Sequence, residues 1–295
     1  MKIIHFDVDQ ELNKHLKGEK RSESLQKLVG KEDFSKIEAI SIKSASKADK
    51  KILSKFPSLK LLITRTVGID HIDLDYCKAQ NIQVKNILDY GSFNIAEHAF
   101  ALLLSGSRNI LATQKEIMKG TFSFKGHLGF ALSGKTLGVV GTGRIGLEVI
   151  KRANAFGMQV VAYDVYKNKK ARQELGYKYV ELDELAKSAD VITLHAPLLD
   201  STRHMIDNKI ISLMKKGVIL INTARGELID TQALVKNISK FRFVGLDVLE
   251  EESKFSKNHP LLKYSNVAIT PHIAFYSDAS VKKIAEETIR LLNNQ

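Results

Sequence analysis

Residues 135–164 read KTLGVVGTGRIGLEVIKRANAFGMQVVAYD, and they carry the strongest indication of the fold. The run at 136–140 is short, apolar and rich in β-branched residues, which is typical of a buried parallel strand. It leads directly into the glycine-rich hexapeptide GTGRIG at 141–146. Apolar positions then recur with helical spacing as far as Gly157, and a second apolar run ends at Asp164. The stretch therefore predicts a strand, a glycine turn, a helix, a second strand and a final acid.

Each part of this pattern has a role in dinucleotide binding. Gly141 permits a tight turn, Gly143 lets a pyrophosphate approach the backbone, and Gly146 lets helix and strand pack closely. The free N–H groups at the start of the helix attract phosphates. Asp164 lies 18 residues after Gly146 (164 − 146), where a carboxylate binds the adenosine ribose and repels a 2′-phosphate. An ordinary glycine-rich turn is the alternative, but the complete pattern favours a site for NAD over NADP.

Composition restricts the class of protein. The 295 residues are enough for two domains, and 44% hydrophobic with 26% charged residues is typical of a soluble globular protein. No stretch approaches the ~18 apolar residues of a membrane span, and the start MKIIHFDVD has no signal-peptide pattern. The single Cys77 cannot form an intrachain disulfide, and there is no cysteine pair to hold a metal. We therefore expect a cytoplasmic protein with no metal site and no membrane partner.

The net charge of +12 raises nucleic-acid binding as an alternative function. However, only 10 of the 45 basic residues are arginine, the lysines are scattered, and there is no tryptophan. No interleaving of arginine with aromatic residues suggests a platform for stacking bases. A lysine-rich solvated surface that also attracts anionic ligands is the favoured interpretation, without a nucleic-acid partner.

Residues 1 to about 95 predict an αβ layer of their own. Strands alternate with helices there, which implies parallel pairing through crossover connections. The predicted strands are 2–8, 39–42, 61–64 and 83–87, and the helices are 22–29, 48–56 and 74–79. The turn Thr66-Val67-Gly68 follows a strand's carboxyl end, where open αβ sheets place ligands. This turn either binds a small anion through backbone N–H groups or simply precedes a helix.

The rest of the chain continues the alternation. An apolar helix at 95–105 predicts a buried passage into a second domain, followed by a helix and loop over 110–133. A final helix at 279–292, capped by Ser277, is expected to fold back onto the first domain. Its inward positions are Val281, Ile284, Ala285 and Leu292. Later strands are predicted at 158–163, 190–194, 217–221, 243–246 and 267–269, and polar residues follow several of them.

Arg225, Glu252 and His272 each follow a predicted strand, so a parallel sheet can bring them together. An arginine binds a carboxylate through two parallel hydrogen bonds. A carboxylate beside a histidine favours the charged imidazole, which can deliver a proton near neutral pH. Beside a nicotinamide, the three side chains suit hydride transfer to a 2-keto acid. Taken singly, each residue also has a non-catalytic interpretation. Arg225 can form a surface ion pair, Glu252 can belong to a solvated run of glutamates, and His272 can be a structural histidine.

From about Lys60 to Tyr276 the sequence resembles the D-isomer-specific 2-hydroxyacid dehydrogenase family. The resemblance rests on GTGRIG with Asp164, and on LHAPLLDSTRHMI, MKKGVILINTARGELID, VGLDVLEEE and HPLLKYSNVAITPHIAF in this order. It implies an α/β fold of two doubly wound parallel-sheet domains, Rossmann-like or flavodoxin-like, with a cleft between them. Residues 1–97 and 275–295 would form the substrate-binding (catalytic) domain, and 98–274 the NAD-binding Rossmann domain.

The resemblance also implies residue roles and a homodimer formed through the cofactor domain. Arg225 would hold the substrate, His272 would protonate its carbonyl oxygen as hydride reaches C2, and Glu252 would pair with His272. The implied substrate-binding residues are Val67, Gly68, Tyr90, Arg225 and His272. The implied cofactor-binding residues are Gly141, Gly143, Arg144, Ile145, Gly146, Asp164, Ala196, Pro197, Thr202, Thr223, Ala224 and Asp247.

Two departures from the family pattern leave alternatives open. Ser253 stands where the family usually has proline, so in the run of three glutamates Glu251 is an alternative partner of the histidine. The chain also ends after one helix, which disfavours a serine-regulated phosphoglycerate dehydrogenase.

Residues 89–91 and 275–276 look most like the D-lactate dehydrogenase branch of the family. They predict a small apolar 2-keto acid such as pyruvate, with hydroxypyruvate or glyoxylate as the near alternatives and a phosphoglycerate dehydrogenase-like enzyme as a further one. A non-catalytic NAD-sensing interaction module, like the C-terminal-binding corepressors, is the alternative of another class. The presence of Arg225, Glu252 and His272 disfavours it.

Overall fold

The computed structural model describes residues 2–293, which form two compact units. One unit comprises the chain up to Gly91 together with the segment from Tyr276 onward, and the other spans Ser92–Phe275. The first boundary lies ahead of the expected residue 97, because the helix Ser92–Ser107 packs along its length on the sheet of the second unit.

The first unit contains, within residues 2–293, a five-stranded parallel sheet in the order β2-β1-β3-β4-β5. This is the flavodoxin-like order, whose ligand crevice lies at the carboxyl ends of the strands. Its strands are β1 (Ile3–His5), β2 (Glu19–Lys20), β3 (Ala39–Ile42), β4 (Leu61–Thr64) and β5 (Gln83–Asn86). Its first helices are α1 (Gln10–Asn13), α2 (Leu25–Leu28), α3 (Lys50–Leu53) and α4 (Leu74–Ala79).

Several elements of this unit are shorter than predicted. β1 ends at His5 instead of residue 8, because Asp7 adopts a left-handed φ of 54° that breaks the extended backbone. α2 begins at Leu25 instead of residue 22, after Ser24 in an extended N-cap conformation. The chain ahead of it pairs with β1 as the short strand β2, which the sequence pattern did not predict.

The second unit contains, in the described part of the chain, a seven-stranded parallel sheet in the order β12-β11-β10-β9-β6-β7-β8. Counted from β6, this is the doubly wound Rossmann order with one added strand, and the strand order reverses between β6 and β9. The strands are β6 (Thr136–Val140), β7 (Gln159–Tyr163), β8 (Lys178–Tyr179), β9 (Val191–Leu194), β10 (Val218–Asn222), β11 (Phe241–Leu246) and β12 (Val267–Ile269). The helices are α5 (Ser92–Ser107), α6 (Ile110–Ile117), α7 (Arg144–Ala155), α8 (Lys169–Leu175), α9 (Leu182–Ser188), α10 (Asn208–Leu213) and α11 (Thr231–Lys236).

The core of the second unit lies on both faces of this sheet. Every residue of β9 and β10 is buried, as expected for central parallel strands covered by helices on both sides. α5 covers β10 and β11, which confirms the buried helix predicted around 95–105. The predicted helix and loop after residue 110 is α6 followed by an irregular segment.

The last helix, α12 (Asp278–Asn293), belongs to the first unit. Its first turn is capped by Ser277, whose Oγ accepts the N–H of Ser280 at 3.2 Å. Three of its predicted inward residues are buried, and the fourth, Leu292, packs half-buried on the sheet face around Ile63. Among residues 2–293, no helix combines the length and the apolar character that crossing a membrane requires.

Candidate active site

The glycine turn between β6 and α7 has three glycines with different surroundings. Gly141 has a φ of +93°, and a Cβ there would lie 2.7 Å from the backbone nitrogen of Ala196. A Cβ on Gly146 would lie 2.0 Å from the carbonyl oxygen of Gly141, so only glycine lets the helix begin so close to the strand. At Gly143 a Cβ would meet no described heavy atom within 4 Å. The backbone at Gly143 is therefore open to a ligand.

The first turn of α7 supplies donors to that open space. Gly143 is its N-cap residue, and a glycine has no side chain that could accept hydrogen bonds from the N–H groups of this turn. The N-terminal N–H groups of a helix carry a partial positive charge and bind phosphate groups. The residues present thus fit the pyrophosphate of a dinucleotide, and Arg144 and Ile145 are the first residues of this helix.

Asp164 directly follows β7 and turns its carboxylate back toward the glycine turn. Its Oδ2 accepts the backbone N–H of Thr142 at 2.6 Å and the Thr142 hydroxyl at 2.9 Å, and its Oδ1 accepts the N–H of Tyr166 at 2.9 Å. The Thr142 Oγ1 also lies 2.8 Å from the hydroxyl of Tyr179, which lies 3.0 Å from that of Tyr177. Burial, together with the hydrogen bond to Tyr179, raises the pKa of Tyr177. The acid is therefore fixed by neutral donors beside the turn.

The remaining predicted cofactor residues follow β9, β10 and β11. Ala196 and Pro197 come directly after β9, and the Thr202 hydroxyl donates to the carbonyl of Pro197 at 2.7 Å. Thr223 is buried, and its Oγ1 has no hydrogen-bond partner among residues 2–293. A buried hydroxyl without a partner is costly, so this atom is suited to bind a ligand group. Ala224 is the next residue.

Two of the three candidate catalytic side chains form a direct hydrogen bond. Nδ1 of His272 lies 2.9 Å from Oε2 of Glu252, whose Oε1 faces the N–H of Leu249 at 3.4 Å. Glu251 instead pairs with Lys254 at 2.5 Å on the exposed side of the loop. Of these two glutamates, Glu252 is the one in contact with the imidazole.

Glu250 anchors the same loop to the neighbouring part of the unit. Its Oε2 accepts the N–H of Thr231 at 2.9 Å, and its Oε1 lies 2.6 Å from Nε2 of His204. Burial raises the pKa of Glu250, but the hydrogen bonds from Thr231 and His204 outweigh it and leave the pKa below its usual value. The carboxylate therefore stays charged and holds the start of the loop that carries Glu252.

Arg225 lies on the loop after β10, which packs against the loop of Glu252. Asn222 Nδ2 donates to the carbonyl of Arg225 at 2.7 Å, and Arg225 Nη1 donates to the carbonyl of Ala224 at 2.8 Å. A Cβ on Gly226 would lie 1.9 Å from the carbonyl carbon of Leu249, so these two loops touch through their backbones. The carboxyl ends of β10, β11 and β12 thus carry all three candidate catalytic residues.

The first unit contains the other predicted substrate residues. Val67 and Gly68 follow β4, and their carbonyl oxygens accept hydrogen bonds from Asn86 Nδ2 at 2.8 Å and Thr66 Oγ1 at 2.6 Å. These bonds fix the turn that was predicted to bind a carboxylate. Tyr90 is buried and lies one residue before the end of the first chain segment of this unit.

The second unit also matches a known protein family. Residues 100–274 match the family described as D-isomer specific 2-hydroxyacid dehydrogenase, NAD binding domain. The chain belongs to this family. The resemblance found in the sequence is thereby confirmed, as are the two parallel-sheet α/β units and NAD as the cofactor.

The relatives that this chain resembles are named for different substrates. A crystal structure of D-lactate dehydrogenase from Aquifex aeolicus, complexed with NAD and lactic acid, has a TM-score of 0.91 and 40% identity, covering 99% of this chain and 94% of that one. The hydroxypyruvate reductase of Thermotoga maritima is 36% identical over 97% of this chain and 95% of its own. The D-3-phosphoglycerate dehydrogenase of Methanocaldococcus jannaschii is 38% identical over 90% of this chain, which spans about half, 51%, of that relative.

The sequence pattern missed some residues around the site. Tyr179 reaches Asp164 through Thr142, and His98 on α5 contacts Asp247 and Thr270. Neither follows a spacing rule, since their partners are distant in the chain. No group of three or more His, Cys, Asp or Glu side chains suited to a metal is found in residues 2–293.

Proposed function

We propose that this chain reduces a small 2-keto acid to the D-2-hydroxy acid with NADH, and that pyruvate reduction to D-lactate is the favoured reaction. The observation that carries the proposal is the 2.9 Å hydrogen bond between His272 and Glu252, on the same edge of the sheet as the dinucleotide turn. The similarity to a lactate-binding D-lactate dehydrogenase over almost the full chain supports the choice of substrate.

His272 is proposed as the proton donor. Its Nδ1 faces the Glu252 carboxylate, so Nε2 is the ring nitrogen that is directed to the substrate. The hydrogen bond to Glu252 fixes the ring, and Nε2–H then protonates the carbonyl oxygen. When bound, NADH supplies the hydride that adds to C2 of the keto acid.

Substrate orientation is proposed for Arg225 and for the turn in the first unit. A guanidinium presents parallel N–H donors that match a carboxylate, and it also polarises the adjacent carbonyl. The backbone N–H groups of Val67 and Gly68 are proposed to bind the substrate carboxylate, and Tyr90 to face the substrate. The ring of Phe275 lies edge to face with that of His272 at 6.3 Å, which supports an apolar substituent on the keto acid.

Hydroxypyruvate or glyoxylate reduction is the second candidate function. It is favoured by the identity to a hydroxypyruvate reductase across nearly the whole of both chains. A phosphoglycerate dehydrogenase-like activity is a weaker candidate, because this chain spans only about half of that relative. A non-catalytic NAD-sensing module would not need the His272–Glu252 pair.

A homodimer through the second unit is part of the proposal, and so is a cytoplasmic location, where NADH is available. The segment 110–128 exposes several large apolar side chains to solvent. Their exposed fractions are 79% for Met118, 95% for Phe122, 88% for Phe124 and 85% for Leu128. Such a cluster on one short segment is typical of an interface. Light scattering of the wild type and of a Phe122→Glu/Phe124→Glu variant tests the homodimer. We expect the wild type to be a dimer and the variant to be a monomer. A monomeric wild type contradicts the proposed homodimer.

The test of the function is NADH oxidation by the purified protein with pyruvate, branched 2-keto acids, hydroxypyruvate and glyoxylate. Chiral analysis of the products accompanies it. We expect pyruvate to be reduced fastest and to give D-lactate, and the His272→Ala variant to reduce all of these keto acids at least about a hundredfold more slowly. Equal rates for pyruvate, hydroxypyruvate and glyoxylate contradict an apolar substrate pocket. No turnover while NADH still binds contradicts the enzyme proposal and favours the NAD-sensing module.

A further inference from the structure

His98 on α5 contacts Thr270, which lies two positions before His272 in the sequence, and Asp247, whose backbone carbonyl accepts the N–H of His272. Its Nε2 lies 2.9 Å from Oγ1 of Thr270 and 3.4 Å from Oδ1 of Asp247. Thr270 Oγ1 is in turn 2.5 Å from the same Asp247 oxygen. The Asp247 side chain is fully buried, and that of His98 is 19% exposed. The three polar groups therefore form a network that is largely withdrawn from water.

The chemistry of the three groups fixes the direction of these hydrogen bonds. Burial raises the pKa of Asp247, but the hydrogen bonds from His98, from Thr270 and from two backbone N–H groups outweigh it and keep the pKa below its usual value. Asp247 is thus an ionised carboxylate that only accepts, so the single hydroxyl proton of Thr270 points to it. Thr270 Oγ1 must then accept from His98, which places a proton on Nε2 of His98.

Asp247 uses its other bonds to hold the turn that carries His272. Its Oδ1 accepts the N–H of Ile273 at 2.9 Å, and its Oδ2 accepts the N–H of Ala274 at 2.8 Å. Its backbone carbonyl accepts the N–H of His272 at 2.8 Å. One residue therefore binds three consecutive backbone N–H groups.

This turn needs such support because His272 has a left-handed φ of 54°. A residue other than glycine rarely adopts this backbone conformation, and the conformation persists only where the surrounding structure stabilises it. The conformation coincides with the short contact between the imidazole and Glu252. A looser turn would let the imidazole leave this position.

We infer that His98 is a positioning residue for His272, acting through Thr270 and Asp247 on the turn that presents the imidazole to Glu252. The inference rests on the proposed function, in which His272 donates the proton. Among residues 2–293, His98 makes no hydrogen bond to His272 or to Glu252. Its contribution is one N–H donor to a buried carboxylate network.

Simple packing of α5 on the sheet is the alternative role for His98. His98→Gln keeps an N–H donor that can reach Thr270, whereas His98→Leu fills comparable space without a donor. If His98 only packs, the two variants behave alike. If the donor matters, glutamine restores what leucine loses. Thr270→Val, which removes the link to Asp247 at nearly constant volume, is expected to act like His98→Leu.

The first measurement is amide hydrogen exchange of Ile273 and Ala274, which needs neither cofactor nor substrate. We expect about tenfold faster exchange in His98→Leu and Thr270→Val, and less than about twofold change in His98→Gln. The matched control is Glu97→Gln on the same helix, since Glu97 is exposed and pairs with Arg152 at 3.3 Å outside this network. It should leave the exchange unchanged.

The second measurement is steady-state kinetics with a direct titration of NADH binding. His98→Leu should lower kcat about tenfold while the Kd for NADH stays within about twofold of the wild type, and His98→Gln should recover most of kcat. Unchanged exchange or unchanged kcat in His98→Leu overturns the inference, and so do equal losses in the leucine and glutamine variants. A wild type that reduces no 2-keto acid refutes the proposed function instead, and the exchange data still decide whether His98 holds the turn.

Discussion

Nδ1 of His272 and Oε2 of Glu252 lie 2.9 Å apart, although the two residues are 20 positions apart in the chain. They come from the loops after β11 and β12, which are neighbours in the sheet. Both side chains remain partly exposed, so water weakens their interaction. In the proposed function, the pair therefore matters more for the orientation of the imidazole than for the stability of the fold.

Removing the negative charge of Glu252 is the most direct test of the His272–Glu252 pair. Glu252→Gln keeps an oxygen that accepts from Nδ1 but removes the negative charge, so we expect kcat to fall about tenfold to a hundredfold. Glu251→Gln is the matched control, since Glu251 pairs with Lys254 and not with His272. Steady-state kinetics of both variants against wild type measure the difference. A larger loss in Glu251→Gln would assign the role to the neighbouring glutamate.

Replacing His272, the proposed proton donor, and Arg225, which is proposed to bind the substrate carboxylate, should have different effects on kcat and KM. His272→Ala should lower kcat by about 10²–10⁴-fold with little change in NADH affinity, because general acid catalysis is lost and the dinucleotide turn is untouched. Arg225→Gln should raise KM for the keto acid as well as lower kcat, because a neutral amide cannot replace the bidentate guanidinium. Initial rates and fluorescence titration with NADH give both quantities. A normal kcat in His272→Ala would refute its role as acid.

Cofactor preference should depend on Asp164 and on the threonine that fixes it. Asp164→Ala should lower the ratio of kcat/KM for NADH over NADPH by at least about tenfold, because the acid no longer repels a 2′-phosphate. Thr142→Val removes the hydroxyl donor at 2.9 Å but keeps the backbone N–H at 2.6 Å, so its shift should be smaller and in the same direction. Kinetics with both cofactors test this. An unchanged ratio in Asp164→Ala contradicts the ribose role.

Most strands could be predicted from the sequence, whereas the two short, charged edge strands β2 and β8 could not. The interior strands 39–42, 61–64 and 136–140 and the edge strand 267–269 have the predicted bounds, because each is a short apolar run that is visible in the sequence. β2 (Glu19–Lys20) and β8 (Lys178–Tyr179) are short and contain charged residues. Their extended form depends on pairing with β1 and β7, and this pairing leaves no apolar pattern in the sequence.

The geometry of the candidate site was predictable where a continuous stretch of sequence determines it. The glycine turn with Asp164 lies in one continuous stretch, so its spacing is visible. The sequence could not decide whether Glu251 or Glu252 contacts the histidine. That choice depends on a left-handed φ of 52° at Glu251, which directs the two side chains differently. His98 was missed for another reason, since its partner Asp247 comes from a distant strand end and only the folded sheet brings them together.

The glycines of the dinucleotide turn predict separable effects of substitution. Gly143→Ala should fold normally, because the residue has a φ of −69° and the added Cβ meets no described atom within 4 Å, but it should weaken NADH binding about tenfold or more by filling the ligand space. Gly146→Ala should lower stability by roughly 1–3 kcal/mol, because its Cβ would lie 2.0 Å from the Gly141 carbonyl oxygen. Thermal unfolding and NADH titration of each variant measure both effects. Loss of stability in Gly143→Ala would contradict the open space there.

Acid should destabilise the first unit through His5. Burial, followed by the nearby charge of Arg65, lowers the pKa of His5 to about 4. Nε2 of the ring lies 3.0 Å from the carbonyl of Lys17 and must donate to it, so Nδ1, at 2.6 Å from the Ser41 hydroxyl, must accept. Arg65 also donates to this hydroxyl. A second ring proton would break the bond to Ser41 and add a positive charge beside Arg65.

The sign of the pH dependence follows from the depressed pKa of His5. The folded state resists protonation between its pKa of about 4 and the unfolded value of 6.5, so stability is complete above pH 6.5 and falls as the pH drops toward 4. The loss at pH 4 should be about 3 kcal/mol of the free energy of unfolding. Denaturant unfolding at several pH values should show a flatter profile in His5→Gln, which cannot take up the proton. His15→Gln, at an exposed position, is the control and should keep the wild-type slope. Parallel profiles for His5→Gln and wild type would show that another group causes the acid loss.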